Sequence, residues 1–281
     1  MKKNKIINWK KYVDHIYCIH YTPYSDRKER LEKELKRVGI LDSDIFSWEY
    51  SYDMPKFASN ASQDLAYNHL LCYYNALYMG YEKVLILEDD IVFLKDINMI
   101  QTLLDNLPNE YDLCLFDHIG YFNSIKLNIK DSSKEIIMDT YKYGQINDYY
   151  RYFTVSWLTS NYIIGTKMCN KVIEIIKDDI SKRNYLEAPD HYLQNLIKYY
   201  FDNTITLDKY NNDPYLTVKE TFKDCKTILS IPRMSIQSQY DNAVNIQLHH
   251  SNNIYNHNIN SNKENEIIIP VKFEDYNIYQ I

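Results

Sequence analysis

Lys83-Val84-Leu85-Ile86-Leu87 is a continuous apolar run of strand length that ends in three consecutive carboxylates, Glu88-Asp89-Asp90, before Ile91-Val92-Phe93. A run without polar alternation is typical of a central strand covered on both faces. Ionised carboxylates at the rim of a core are costly unless they are paired or hold a metal. Open α/β sheets take their ligands just beyond the carboxyl ends of their strands, where this triplet stands. If the strand continues through the triplet, Glu88 and Asp90 share one face and Asp89 the other. If the chain turns at Asp89, the adjacent Asp89 and Asp90 converge instead. Either way two hard oxygen ligands face one cation and suit Mg²⁺ or Mn²⁺. A charged turn after a strand is the plainer alternative.

Outward from the triplet, the pattern is that of strands alternating with helices, the mark of an α/β domain. Upstream, Val13–Ile19 reads as a strand. A turn around Pro23 and a helix follow, for which Asp26 can cap, Glu29 can close a capping box and Gly39 supplies the stop. Leu31, Leu35 and Val38 lie on one face of that helix. A second helix runs from about Ser62 to Gly80, with Leu65, His69, Cys72, Tyr73, Ala76 and Leu77 at helical spacing. Downstream, the reading gives a helix near Ile97–Leu107 and a strand at Tyr111–Asp117. Residues 121–150 read as an irregular insertion or lid, Val155–Ile164 as a strand and Thr166–Ile180 as a helix. Pro189 opens a further helix over Asp190–Phe201, Ile205 and Leu207 suggest a short strand, and another lies at Ile228–Ile231. Residues 1–240 are expected to form one domain, with 241–281 an Asn-rich tail.

Composition narrows the chemistry. The chain of 281 residues has 5 glycines, the closest pair being Gly144 and Gly165, so neither a Walker loop nor a G-x-G-x-x-G turn exists. Any phosphate must be held by metal, basic side chains or helix N-termini. The net charge of −6 argues against a nonspecific nucleic-acid binder, which needs a basic surface. Cys18, Cys72, Cys114, Cys169 and Cys225 are odd in number and far apart, which excludes a C-x-x-C site and reads as reduced thiols in a cytoplasmic protein. No signal peptide and no run of about 18 apolar residues for a membrane span is visible. The 29 tyrosines, with abundant Asn, Ile and Lys, match the AT-rich coding bias of giant viruses and low-GC bacteria and carry no functional weight.

A phosphorelay receiver domain also carries an acidic strand end followed by a Y-D-L-x-L-x-D strand. Here Asp117 follows Asp90 by only 27 positions, too few for the intervening elements, and Gly120-Tyr121 stands where Met-Pro belongs. A metal-dependent phosphohydrolase needs further clusters of carboxylates or histidines, and none is recognisable.

Tyr81 through Phe93 resembles the metal-site signature of glycosyltransferase family 25, which includes bacterial lipooligosaccharide galactosyltransferases and collagen hydroxylysine galactosyltransferases. The opening strand with Asp26-Arg27 is similar to the family's N-terminal I-N-L-x-x-R-x-D-R segment, and Ala66-Tyr67-Asn68-His69 to its L-S-H helix start. Asn161-Tyr162-Ile163-Ile164 resembles its Y-x-I strand, Ala188-Pro189-Asp190 its P-x-D helix, and Ile231-Pro232 through Gln237 its P-x-x-x-Q stretch. The resemblance spans about residues 14 to 240. Ile19-His20-Tyr21 departs from the family's Asn-Leu, the earlier of its two arginines is missing, Asn68 replaces a serine, and Pro189-Asp190 lacks the intervening residue.

The resemblance implies a GT-A-like α/β fold with a central, mostly parallel sheet flanked by helices. It implies a UDP-sugar donor, Mn²⁺ or Mg²⁺, and an inverting transfer of a hexose, galactose or glucose, to a glycan or protein hydroxyl acceptor. Asp89 and Asp90 are then the metal ligands, with His249 or His250 a further one. Glu88 joins them or holds ribose hydroxyls, Arg27 contacts the nucleotide, and His69 either contacts the donor or serves as a hydrogen-bonded core histidine. Asp190 is the candidate general base, with Asp117 and Glu187 behind it. Glycan or lipopolysaccharide biosynthesis is the implied setting. A catalytically degenerate carbohydrate-binding or scaffold protein on the same fold is the alternative.

Overall fold

The computed structural model describes residues 6–51, 61–117, 126–127, 136–137, 146–152, 160–183, 186, 189, 192–193, 225–230 and 233–237. The elements in chain order begin with a 3-10 turn at Trp9–Lys11, then β1 (His15–Tyr21), α1 (Ser25–Arg37), β2 (Phe46–Ser51), α2 (Ala61–Met79), β3 (Lys83–Glu88) and β4 (Ile91–Phe93). They continue with α3 (Ile97–Asp105), β5 (Leu113–Leu115), β6 (Lys126–Leu127), β7 (Ile136–Ile137), β8 (Tyr150–Tyr152), β9 (Asn161–Gly165), α4 (Thr166–Arg183), β10 (Thr227–Ser230) and β11 (Ser235–Gln237).

Seven of these strands make one sheet in the order β2-β1-β3-β9-β5-β10-β8. The β2–β1, β1–β3 and β5–β10 pairings are parallel, while β9 and β8 run against their neighbours. This is the expected α/β class, a mixed, mostly parallel sheet flanked by helices. β4 leaves the sheet and pairs with β11 alone, and β6 pairs with β7.

The apolar run in β3 is buried on both faces because strand side chains alternate. Val84 and Ile86 enter a core with Ala66, Leu70 and Tyr73 of α2 and Met168, Val172 and Ile176 of α4. Leu85 and Leu87 enter a second core with Leu31 and Leu35 of α1 and Ile100, Leu103 and Leu104 of α3. The sheet is therefore the middle of three layers. α1 and α2 both end on glycine in the left-handed region, Gly39 at φ 77° and Gly80 at φ 74°. Each makes a Schellman pair: Ile40 N–H to Leu35 O and Gly39 N–H to Lys36 O, then Tyr81 N–H to Ala76 O and Gly80 N–H to Leu77 O.

Several expectations need correction. α1 begins at Ser25, its N-cap is Tyr24 and no side chain caps it, so Asp26 lies inside the first turn and closes no capping box. β2, to which the sequence reading assigns no element, forms an edge strand. Within 121–150, residues 126–127 and 136–137 form a two-residue ladder, and Tyr150 belongs to the main sheet with its hydroxyl donating to Leu103 O at 2.8 Å. Strands this short leave no readable period. The strand expected over Val155–Ile164 is observed from Asn161 to Gly165, with 153–159 outside the described residues. The elements expected at Asp190–Phe201 and around Ile205 also lie largely outside them, although Pro189, Tyr192 and Leu193 are helical.

Candidate active site

β3 stops at Glu88 and the chain turns through Asp89 and Asp90 before β4. The alternation that distributes Val84–Leu87 between two cores also sorts the carboxylates. Glu88 continues the Val84 and Ile86 face and meets α2, where its Oε1 lies 3.2 Å from His69 Nε2. The other ring nitrogen, Nδ1, is 2.6 Å from the Tyr162 hydroxyl, which is itself 2.6 Å from the Tyr73 hydroxyl. With His69 neutral and protonated at Nε2, the chain is satisfied by Tyr73 donating to Tyr162, Tyr162 to His69, and His69 to Glu88. His69 is 1% exposed and stands behind Glu88, outside the cleft lining.

Asp89 turns toward the α1 side. Its Oδ2 accepts from His20 Nδ1 at 2.8 Å and from the Tyr21 backbone N–H at 3.1 Å, while its Oδ1 accepts from Arg27 at 3.4 Å. One carboxylate thus joins the end of β1, the start of α1 and the end of β3. The Arg27 guanidinium lies 4.3 Å from the centre of the Tyr24 ring, a cation–π contact that fixes it further. His20 appears in the sequence only as a departure from the family pattern; in the structure it is a principal partner of Asp89.

Asp90 differs from both neighbours. The residue as a whole is half-buried, but its Oδ1 is fully enclosed and accepts no hydrogen bond. Burial, then the charges of Glu88 and Asp89, push its carboxyl well above the usual carboxylate range, with Arg27 pulling the other way and Asp117 adding to the push. An enclosed oxygen lacking a donor is expensive in a folded protein, and a hard cation is a fitting partner for it.

Glu88, Asp89, Asp90 and Arg27 line one cleft of about 330 Å³ together with Ile19, Tyr21, Tyr24, Ser51, Asp64 and Leu65. Its position is the one that open α/β sheets use for ligands, beyond the carboxyl ends of the parallel strands β1 and β3. Among the expected site residues, the structure brings together Arg27, Glu88, Asp89 and Asp90 and sets His69 behind Glu88. Asp190, His249, His250 and Glu187 lie outside the described residues. No group of three or more His, Cys, Asp or Glu side chains placed to hold a metal occurs among the described residues. Asp117 is fully buried, accepts the Ser160 hydroxyl and lies 3.7 Å from Arg233, away from the cleft lining. The five cysteines are free and buried. Burial holds the Cys18, Cys72 and Cys114 thiols well above their ordinary range and brings Cys169 up to about 12, so none of these four supplies a thiolate nucleophile.

Tyr24, Ser51 and Asp64 join the site without having been singled out from the sequence, and Tyr21 enters the sequence reading only within the departure Ile19-His20-Tyr21. Ser51 closes an alternation, Phe46-Ser47-Trp48-Glu49-Tyr50-Ser51, whose period of two is a strand signal. Asp64 sits in the first turn of α2, where its Oδ2 accepts the Ser51 hydroxyl.

No family model and no curated protein matches the chain. Solved structures give remote likenesses. A glycosyltransferase involved in glycosylation of the major capsid of PBCV-1 is 14% identical, with 78% of this chain and 94% of that one covered at a TM-score of 0.37. GlyE, a glycosyltransferase of Streptococcus pneumoniae TIGR4, is 13% identical over 92% of this chain and 66% of its own, at 0.36. A UDP-glucose pyrophosphorylase complexed with UDP-glucose is 10% identical over 86% and 81%, also at 0.36. No helix among the described residues is long and apolar enough to cross a membrane.

Proposed function

We propose that this chain is a metal-dependent glycosyltransferase of the family 25 type, moving a hexose, galactose or glucose, from a UDP-sugar to a hydroxyl of a glycan or a hydroxylysine-type acceptor, with inversion. The observation that carries this reading is the enclosed, unpartnered Oδ1 of Asp90 in a cleft at the carboxyl ends of β1 and β3. Asp90 would hold Mn²⁺ or Mg²⁺, with Asp89 beside it through the oxygen that faces Arg27. The remaining ligands would be diphosphate oxygens, water, or His249 from outside the described residues. A cation there supplies Lewis-acid stabilisation of the departing diphosphate, the service that a glycine loop cannot give in this chain.

The chain's own residues supply the rest. Arg27 is anchored by Asp89 and Tyr24 at the rim of the cleft, where a guanidinium suits a phosphate. Tyr21 and Tyr24 meet edge to face at 5.1 Å and are 39% and 41% exposed, forming an aromatic wall for a planar base. Glu88 is oriented by the relay through His69, Tyr162 and Tyr73 and faces the cleft as a hydrogen-bond acceptor. Inversion needs one base to take the acceptor hydroxyl's proton, and Asp190 is assigned that role. Residues 1–240 are taken as the transferase domain and 241–281 as its tail.

UDP binding is expected to require a divalent cation. Calorimetry with Mn²⁺ and again after EDTA checks this, and equal affinity in both would reject the metal site. Screening nucleotide sugars for Mn²⁺-dependent turnover tests the reaction itself. The Asp190→Asn variant is expected to lose at least about 100-fold in kcat while binding UDP-sugar as before. A mere helix cap predicts almost no change, since Asn caps as well as Asp.

One observation favours a second reading, a sugar- or nucleotide-binding protein without turnover. Both Asp89 oxygens are already engaged, and one of the partners, His20, stands at a departure from the family pattern. Nucleotide binding without turnover across the screen would select it.

A further inference from the structure

One carboxylate in the wall of the cleft has no part in the chemistry above. Asp64 is 7% exposed and lines the cleft with Ile19, Leu65 and Ser51. Its Oδ2 accepts the Ser51 hydroxyl, and its backbone carbonyl accepts Asn68 Nδ2–H at 2.8 Å. Its Oδ1 receives no hydrogen bond from the described residues. An acid in the first turn of a helix is favoured by the helix dipole, but that benefit needs no burial. Asp64 Oδ1 is not enclosed by protein, and on the wall of the cleft it is an acceptor that a ligand's donor can reach.

The chemistry of that donor follows from what surrounds it. The lining cation, Arg27, is held by Asp89. Glu88, Asp89 and Asp90 share the cleft with Asp64, so an anionic ligand group is repelled from this wall. A neutral O–H group suits it, and a carboxylate clamped at one oxygen presents the other in a fixed direction. Ser51 supplies the clamp from the end of β2.

We propose that Asp64 is a specificity residue that accepts a hydrogen bond from a hydroxyl of the bound nucleotide sugar, either on the ribose or on the transferred hexose. The proposal rests on the nucleotide-sugar reading given above. An acceptor of this kind discriminates against ligands lacking the hydroxyl, because the acceptor is then left unpaired.

The test is calorimetry in Mn²⁺ on the full chain and its Asp64→Asn variant, with UDP, 2′,3′-dideoxy-UDP and UDP-galactose. The amide retains an oxygen for Ser51, so the melting temperature should hold. If the hydroxyl is the ribose's, UDP binds the variant at least about tenfold more weakly, while dideoxy-UDP binds both proteins equally weakly. If it is the hexose's, UDP binds both equally and only UDP-galactose loses affinity. Unchanged affinity of the variant for both UDP and UDP-galactose overturns the proposal and leaves the nucleotide site standing. No UDP binding by the unaltered chain rejects the nucleotide reading, and the Asp64 proposal with it. Should the variant fail to fold, equal affinity of the unaltered protein for all three ligands overturns the proposal, and a ranking by hydroxyl content supports it.

Discussion

Asp90→Asn is expected to lower transfer by at least about a thousandfold, the loss of several kcal/mol of charge stabilisation at the leaving diphosphate, without lowering the melting temperature. The two halves of this expectation come from one atom. Oδ1 is enclosed and unpartnered in the folded protein, so the ionised carboxylate contributes nothing to stability that the amide would forfeit. Burial and the charges of Glu88 and Asp89 oppose its ionisation, and removing the charge relieves that opposition. Steady-state kinetics at saturating Mn²⁺, together with a thermal melt, check both halves. Normal turnover in the variant would reject Asp90 as the metal ligand. A collapsed melting temperature would mean that the side chain has a packing role not accounted for by its contacts.

How much of this was legible beforehand depended on the kind of signal. β3 could be read because burial on both faces demands a continuous apolar run, and α1 and α2 because glycine in the left-handed region stops a helix where Gly39 and Gly80 stand. The position of the acidic triplet at the carboxyl edge followed from the same run. The sharing-out of the three acids was not legible. It depends on the strand ending at Glu88, on the parallel β1–β3 register that sets Ile19 against Glu88 and so brings His20 beside Asp89, and on His69 arriving from α2. Such partners are 19 to 69 positions apart, and local pattern carries no information about them. Asp26 illustrates the converse. Its residue type and spacing suit a cap, but the observed N-cap is Tyr24, two residues earlier, a boundary that side-chain chemistry alone cannot locate.

Asp89→Ala is expected to do what Asp90→Asn does not, and lower stability and activity together. The Asp89 carboxylate accepts from His20, from the Tyr21 N–H and from Arg27, and the side chains of His20 and Asp89 are only 2% and 10% exposed. Truncation removes the Asp89 acceptor from a buried imidazole, a backbone N–H and a part-buried guanidinium. Breaking a buried charged network by removing one partner costs about 3 kcal/mol, somewhat less where water reaches Arg27. For a domain of this size that is a fall of roughly 5–10 °C in melting temperature. Activity falls as well, because Arg27 loses the contact that fixes it at the cleft rim and Tyr21 loses its anchor in the aromatic wall. Asp89→Asn separates the contributions. The amide retains one acceptor oxygen for His20 and Tyr21, so most of the stability should return, whereas the charge facing Arg27 and the cation is gone and UDP affinity should stay low. Two adjacent acids of the same turn would then divide the labour: Asp89 builds the site, and Asp90 acts in it. Equal melting temperatures for Asp89→Ala and Asp90→Asn would contradict that division, since the first removes an acceptor from three donors and the second removes one from none.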